Sequence, residues 1–187
     1  MKKTDRRTLY TRMVIKDALL ELLREKPFPT ITVTDICRVA EINRGTLYLH
    51  YKNISEILDE LFDDALENID GVYASVTQEE VRDCSCGYPL CLFLRKCTKY
   101  QPLFFSSELR ANAIERMVKR NEEEFIGVLQ RQTGQSDAAL RALLSFQLNG
   151  CFSVCQQMIG LPDDQWEAIR SIIDQALKQG YKALKRE

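Results

Sequence analysis

Thr32-Val33-Thr34-Asp35-Ile36-Cys37-Arg38-Val39-Ala40-Glu41-Ile42-Asn43-Arg44-Gly45-Thr46-Leu47-Tyr48-Leu49-His50-Tyr51-Lys52-Asn53 decides the fold. Thr32 stands three residues before Asp35, the spacing of a capping box, in which a hydroxyl and a carboxylate satisfy the free N–H groups of a helix start. Asp is shorter than the usual Glu, but its charge suits a helix N-terminus. Val33, Ile36, Val39 and Ala40 give the short helix its apolar contacts, to about residue 40. Glu41-Ile42 makes a tight connection. Asn43 is a good N-cap for the next helix, expected over 44–51. Two short helices joined by about three residues form a helix-turn-helix pattern.

The pattern of the flanks is helical in both directions. Ile15, Ala18, Leu19 and Leu22 make one apolar face of a helix over 5–25. Pro27 and Pro29 end it and break up the brief alternation at 28–33. Ser55 is expected to cap a long helix over 55–75, carrying Ile57, Leu58, Leu61, Phe62, Ala65, Leu66, Ile69 and Tyr73. A loop over 83–89 is followed by a helix over 90–100, a short one from Pro102, and a long charged one over 109–132. The last two helices are expected over 138–159 and 163–185, separated by Gly160-Leu161-Pro162. The fold class is therefore all-α, about nine helices, with a domain at 1–54 and a helical bundle at 55–187.

Charge is distributed unevenly. Residues 1–53 hold 11 Lys and Arg against 6 Asp and Glu, a balance of +5; the remainder holds 15 against 21, a balance of -6. A basic first block ahead of an acidic remainder suggests an anionic partner for the first block alone. The basic N-terminus is not followed by an apolar signal core, and no run approaches roughly 18 uninterrupted apolar residues, so a cytoplasmic protein without a membrane partner is expected. Seven cysteines, an odd number, argue against a secreted disulfide framework.

Residues 12–62 resemble the DNA-binding domain of the TetR family. The resemblance rests on Arg12, Ile15, Ala18 and Leu22 in the first helix, on Thr32-Val33 with Ile36 and Ala40 in the second, and above all on Gly45-Thr46-Leu47-Tyr48-Leu49-His50-Tyr51 at this offset. It implies a nine-helix homodimer, an effector cavity in the second domain, and repression relieved by a ligand. Three positions depart from the family pattern. Glu41 stands where glycine is usual and suits a left-handed backbone poorly. Asn43 replaces serine and keeps the capping chemistry. Ile54 replaces a lysine that touches phosphate, leaving Lys52 to do so.

The DNA-binding set expected from this reading is Thr32, Asn43, Arg44, Gly45, Thr46, Tyr48, His50, Tyr51 and Lys52. Arg44 in the first turn suits a bidentate contact with guanine or a phosphate contact. Gly45 lets DNA approach closely. Thr46 suits a thymine methyl or a phosphate, and Tyr48 offers a hydroxyl to the backbone. His50, the one histidine, suits phosphate or helix-end packing. Tyr51 is divided between packing and phosphate, and Lys52 is a phosphate contact whose effect falls with salt. Leu47 belongs to the core.

In the second domain, Phe62, Leu92, Tyr100, Phe104, Phe105, Met117, Phe152 and Cys155 are candidates for an apolar effector pocket, against a reading as ordinary core. Leu144, Leu148, Cys151, Trp166, Ile169, Ile173, Leu177 and Tyr181 are candidates for a four-helix dimer interface. Cys84, Cys86, Cys91 and Cys97 offer an alternative thiol- or metal-responsive reading. No histidine supports them, and Cys-x-Cys is not the usual zinc pair, so no metal or other cofactor is expected. No phosphate-binding glycine loop, histidine pair or Ser–His pairing points to an enzyme. A helical interaction module with weakened DNA binding remains the other alternative, since it accounts for Glu41 and Ile54.

Overall fold

The computed structural model describes residues 6–75, 90–120 and 126–184. Among them are ten α-helices and no strand: α1 (Arg6–Glu25), α2 (Val33–Val39), α3 (Arg44–His50), α4 (Ile54–Ser75), α5 (Leu90–Lys96), α6 (Gln101–Phe105), α7 (Ser107–Arg120), α8 (Gly127–Thr133), α9 (Asp137–Met158) and α10 (Asp163–Leu184). The all-α class and the helix-turn-helix ahead of a helical bundle are as the sequence indicates. Cys84 and Cys86 lie outside the described residues, so the four-cysteine grouping is not displayed.

Several boundaries differ from the sequence pattern, each for a local reason. The expected helix over 90–100 stops at Lys96, and a 3-10 turn at Thr98–Tyr100 precedes α6, with Pro102 in its first turn. The expected helix over 109–132 starts earlier, at Ser107; residues 121–125 lie outside the described ones, and α8 covers its C-terminal end. There Gly134, with φ 67°, takes the left-handed conformation that ends the helix and donates its N–H to the Gln130 carbonyl at 2.8 Å. α4 begins at Ile54, not Ser55, because Asn53 Oδ1 accepts from the Glu56 N–H at 3.0 Å while Glu56 Oε2 accepts from the Lys52 N–H at 2.7 Å.

The chain divides into two compact units, residues 1–67 with 99–110, and residues 68–98 with 111–187. These bounds differ from a division at 54/55. Residues 54–67 of α4 fall in the first unit with α6, where Phe62 and Phe104 meet edge to face with ring centroids 6.3 Å apart. The core of the first unit is Ile15, Leu19, Leu22, Ile36, Leu47, Ile57, Leu61 and Leu103, all essentially without solvent exposure. In the second unit, Phe93 of α5, Met117 of α7, and Leu140, Phe152 and Cys155 of α9 are buried.

α9 is long and apolar enough by composition to pass for a membrane span, with mean hydropathy 1.2 over an 18-residue window. Its pattern argues for a two-faced helix instead. Leu140, Leu144, Leu148, Phe152 and Cys155 are buried inside the chain, while Arg141, Asn149, Gln156 and Gln157 interrupt the other sides.

The capping box of α2 forms as its spacing indicates. Thr32 Oγ1 accepts from the Asp35 N–H at 3.2 Å, and Asp35 Oδ2 accepts from the Thr32 N–H at 2.9 Å. Lys26 Nζ adds an ion pair to the same carboxylate at 2.7 Å. The Lys26 ion pair first, then the Thr32 hydrogen bonds, hold the Asp35 carboxyl well below the usual carboxylate range. Because the folded value is the lower one, the stabilisation is fully present above the unfolded value, about 3.9, and is lost as pH falls toward the folded one. Urea midpoints should therefore separate wild type from Asp35→Asn at pH 7 and converge as pH is lowered below about 3.9. A gap that stays constant down to acid unfolding contradicts this origin.

Candidate nucleic-acid interface

Three side chains fix α3 in place. Asn43 Oδ1 caps it, accepting from the Thr46 N–H at 2.7 Å and from Thr46 Oγ1 at 3.1 Å. Leu47, fully buried, anchors its inner face. At its C-terminal end the His50 carbonyl accepts from Arg12 Nη1 at 3.2 Å. The opposite face is open: Tyr48 is 55% and Leu49 83% exposed, and Arg44 and Gly45 are exposed with them. Leu49 thus adds an apolar side chain to the open face beside Tyr48. The sequence pattern missed Leu49, although its place two residues past the buried Leu47 turns it to the far side of the helix.

The other expected contact residues divide into available and occupied ones. Arg44 Nη2 donates to Thr34 Oγ1 of α2 at 2.6 Å, which steadies the guanidinium at the open face. Lys52 is 88% exposed, its Nζ 3.6 Å from Glu56 Oε1. Thr46 and His50 are partly exposed. Thr32 and Asn43 are exposed, but their side-chain oxygens serve as caps. Tyr51 corrects the expected set: it is only 2% exposed, and its ring packs under the Arg12 guanidinium at 4.5 Å, so it is a core residue and has no surface for phosphate.

Beneath α3 lies a charged cluster. Arg12 Nη2 pairs with Glu60 Oε2, Lys16 Nζ reaches Glu60 Oε1 at 3.0 Å, and Lys16 also pairs with Asp64. Burial raises the Glu60 carboxyl, but hydrogen bonds from Arg12 and Lys16 outweigh it and hold the group below its usual value. Burial, then the Glu60 charge, push the Tyr51 phenol upward. Arg12, Lys16 and, at the cap of α2, Lys26 are thus paired with carboxylates of the unit, while Arg44 and Lys52 are exposed on the outer face.

The connection between α2 and α3 carries the strain its sequence announces. Glu41 has φ 52°, the one non-glycine residue with positive φ among those described. The Ile42 N–H still donates to the Cys37 carbonyl at 3.0 Å, so the turn closes despite it.

Residues 15–61 match the family described as bacterial regulatory proteins, tetR family. The similarity is thus confined to the helix-turn-helix segment. A curated relative, the uncharacterized HTH-type transcriptional regulator YxbF of Bacillus subtilis (strain 168), is 43% identical over 58 residues, which span 30% of this chain and 15% of that protein. The crystal structure of the TetR family repressor AlkX from Dietzia sp. strain DQ12-45-1b aligns over 92% of this chain and 98% of its own, at 16% identity and a TM-score of 0.40. The TetR-type match covers the helix-turn-helix and the first turns of α4, and the second unit lies outside it.

The expected pocket residues are divided between the two units. Phe62, Tyr100 and Phe104 are buried in the first unit, and Phe105 lines a shallow groove there with Leu23 and Pro102. Met117, Phe152 and Cys155 belong to the second unit, and Cys155 borders a cavity between α9, α10 and α5. The Leu92 side chain is outside the described residues. Of the expected interface residues, Leu144, Leu148 and Trp166 are at most 5% exposed within the single chain. Cys151, Ile173 and Leu177 line that same cavity, and Tyr181 donates to Gln147. Ile169 is partly exposed.

Replacing Glu41 by glycine removes the left-handed penalty of a side chain, offset in part by greater freedom of the unfolded chain, for a net gain of about 0.5–1 kcal/mol. Thermal unfolding of Glu41→Gly is expected at a higher temperature than wild type. A lower one contradicts the strain.

Proposed function

We propose that this chain is a one-component transcriptional regulator that binds double-stranded operator DNA through α3, one helix per half-site of a pseudo-palindrome, as a homodimer. The observation that carries the reading is the outer face of α3. Arg44, Tyr48 and Leu49 are exposed on a helix whose inner face and both ends are fixed, in a domain of the TetR family. A rigid helix with a bidentate donor and an apolar contact is suited to reading base edges, and Lys52 adds a phosphate contact. Working on DNA, the protein acts without catalysis and in the cytoplasm, and a small-molecule effector shifts the equilibrium between two states with different DNA affinity.

The homodimer is supported by Phe146 of α9 and Ile172 of α10, which are 74% and 68% exposed. α9 buries its opposite face, whereas α10 buries Trp166 alone, and Phe146 and Ile172 have more apolar area to offer a second copy than Leu144, Leu148 and Trp166.

The reading is tested by mobility shift and footprinting on DNA upstream of the gene and on a random oligonucleotide pool, at two salt concentrations. Arg44→Ala is expected to cost about 1–3 kcal/mol and to relax base preference at one position of each half-site. Lys52→Ala should weaken all sequences alike and lower the salt slope by about one. No selected sequence at low salt overturns DNA binding and favours an interaction module. A monomer in light scattering at micromolar concentration overturns the homodimer.

A further inference from the structure

The first turns of α1 stand clear of the core. From Arg6 to Val14 every residue is exposed or half-buried, and Ile15 is the first to be fully covered. One face of this stretch is continuous. Arg6, Leu9, Tyr10 and Met13 follow at i, i+3, i+4 and i+7, and Leu9, Tyr10 and Met13 are 55%, 64% and 44% exposed. One and two turns further along the same stripe, Asp17 pairs with Lys99 and Leu20 is buried. The fold thus closes over the second half of the stripe and leaves the first half open. Adjacent large apolar side chains in water beside cations mark a surface that another molecule covers.

Position and charge narrow that molecule. Arg12, on another face of the same turns, donates to the His50 carbonyl at the C-terminal end of α3 and lies over the Tyr51 ring; exposed Lys52 comes next in the chain. The open stripe therefore runs out from the end of the recognition helix, and at 1.5 Å per residue Arg6 lies about 9 Å along the axis beyond Arg12. In the sequence Lys2, Lys3, Arg6 and Arg7 stand against Asp5 alone, a balance that favours a polyanion. A minor groove of DNA matches both halves of this chemistry. Phosphates line its edges, its walls are the C–H faces of sugars, and its floor carries acceptors.

We propose that the first turns of α1 are a second DNA contact, seated in the minor groove that adjoins the major groove entered by α3. Arg6 donates to adenine N3 and thymine O2 on the groove floor, Tyr10 gives its hydroxyl to a phosphate, and Leu9 and Met13 lie along the sugar wall. A·T-rich DNA has the narrower and more negative minor groove, so the guanidinium confers a preference for A·T pairs at the edge of each half-site. α3 reads base edges, and α1 reads groove width. The proposal rests on the regulator reading above, because it takes the DNA to lie on α3.

The test uses the full chain and operator duplexes selected from the random pool, remade with A·T or with G·C flanks. Wild type is expected to bind the A·T-flanked duplex several-fold more tightly, and hydroxyl-radical protection should extend beyond the base pairs that α3 specifies. Arg6→Ala should abolish the flank preference and lower the salt slope by about one, with base preference inside the half-site unchanged. The double variant Leu9→Ser with Tyr10→Ser keeps every cation; it should shorten the protected stretch and weaken binding several-fold at an unchanged melting temperature. Equal affinity of wild type for the two flanks, or variants that match wild type on both duplexes, overturns the proposal and leaves α3 as the reading element. Binding of wild type to phosphatidylglycerol vesicles that the double variant loses, with DNA affinity unchanged, gives the stripe to a membrane surface and also overturns it. A wild type that binds no DNA overturns the regulator reading, and this proposal with it.

Discussion

The Arg12 guanidinium holds three parts of the N-terminal unit at once. Its planar fork pairs with Glu60 on α4, donates to the His50 carbonyl at the end of α3, and lies on the Tyr51 ring. A lysine at this position has one point charge and no fork, so it satisfies one of these contacts at a time. The partial burial of the cluster raises the stakes. Removing Arg12 leaves Glu60 with Lys16 as its cation and leaves the Tyr51 ring without its cover, and hydrogen bonds to charged groups of this kind are worth about 1.5–3 kcal/mol. The orientation of the recognition helix, and with it the outer face of Arg44, Tyr48 and Leu49, depends on this cluster and on Leu47.

Much of the helix-turn-helix was legible because its signals are local. Thr32 with Asp35, and Asn43 with Thr46, are caps whose partners lie three residues away, and they form at those spacings. Leu47 was legible as core from its place in the pattern. Glu41 announced its left-handed backbone, since glycine is the residue that turn favours. Tyr51 was not legible: an aromatic after a basic helix reads equally as a phosphate contact or as packing, and what decides it is Arg12, 39 positions earlier in the sequence. Local chemistry fixed elements, and long-range contacts fixed which side chains remain available.

The second unit shows the same division more sharply. Its helices follow from amphipathic periodicity, yet the role of each apolar position depends on which neighbour covers it. Leu144 and Leu148, one turn apart on α9, and Trp166 on α10 suit a partner helix in another chain as well as one in the same chain, and in the single chain they are already buried. Phe146 and Ile172 carry the exposed apolar area. The cysteines show a related dependence on packing. The packing of α5 against α9 sets Cys91 on the same cavity as Cys151 and Cys155, a grouping that sequence spacing does not show.

The most direct test of this account is native-state amide hydrogen exchange, residue by residue, on wild type and Arg12→Lys. If the Arg12 fork fixes the recognition helix, the amides at the C-terminal end of α3 lose at least about tenfold protection, as a loss of 1.4 kcal/mol or more requires, while those of α9 and α10 keep theirs. Equal protection of α3 in the two proteins contradicts the account and leaves the helix held by Leu47 and its N-cap alone.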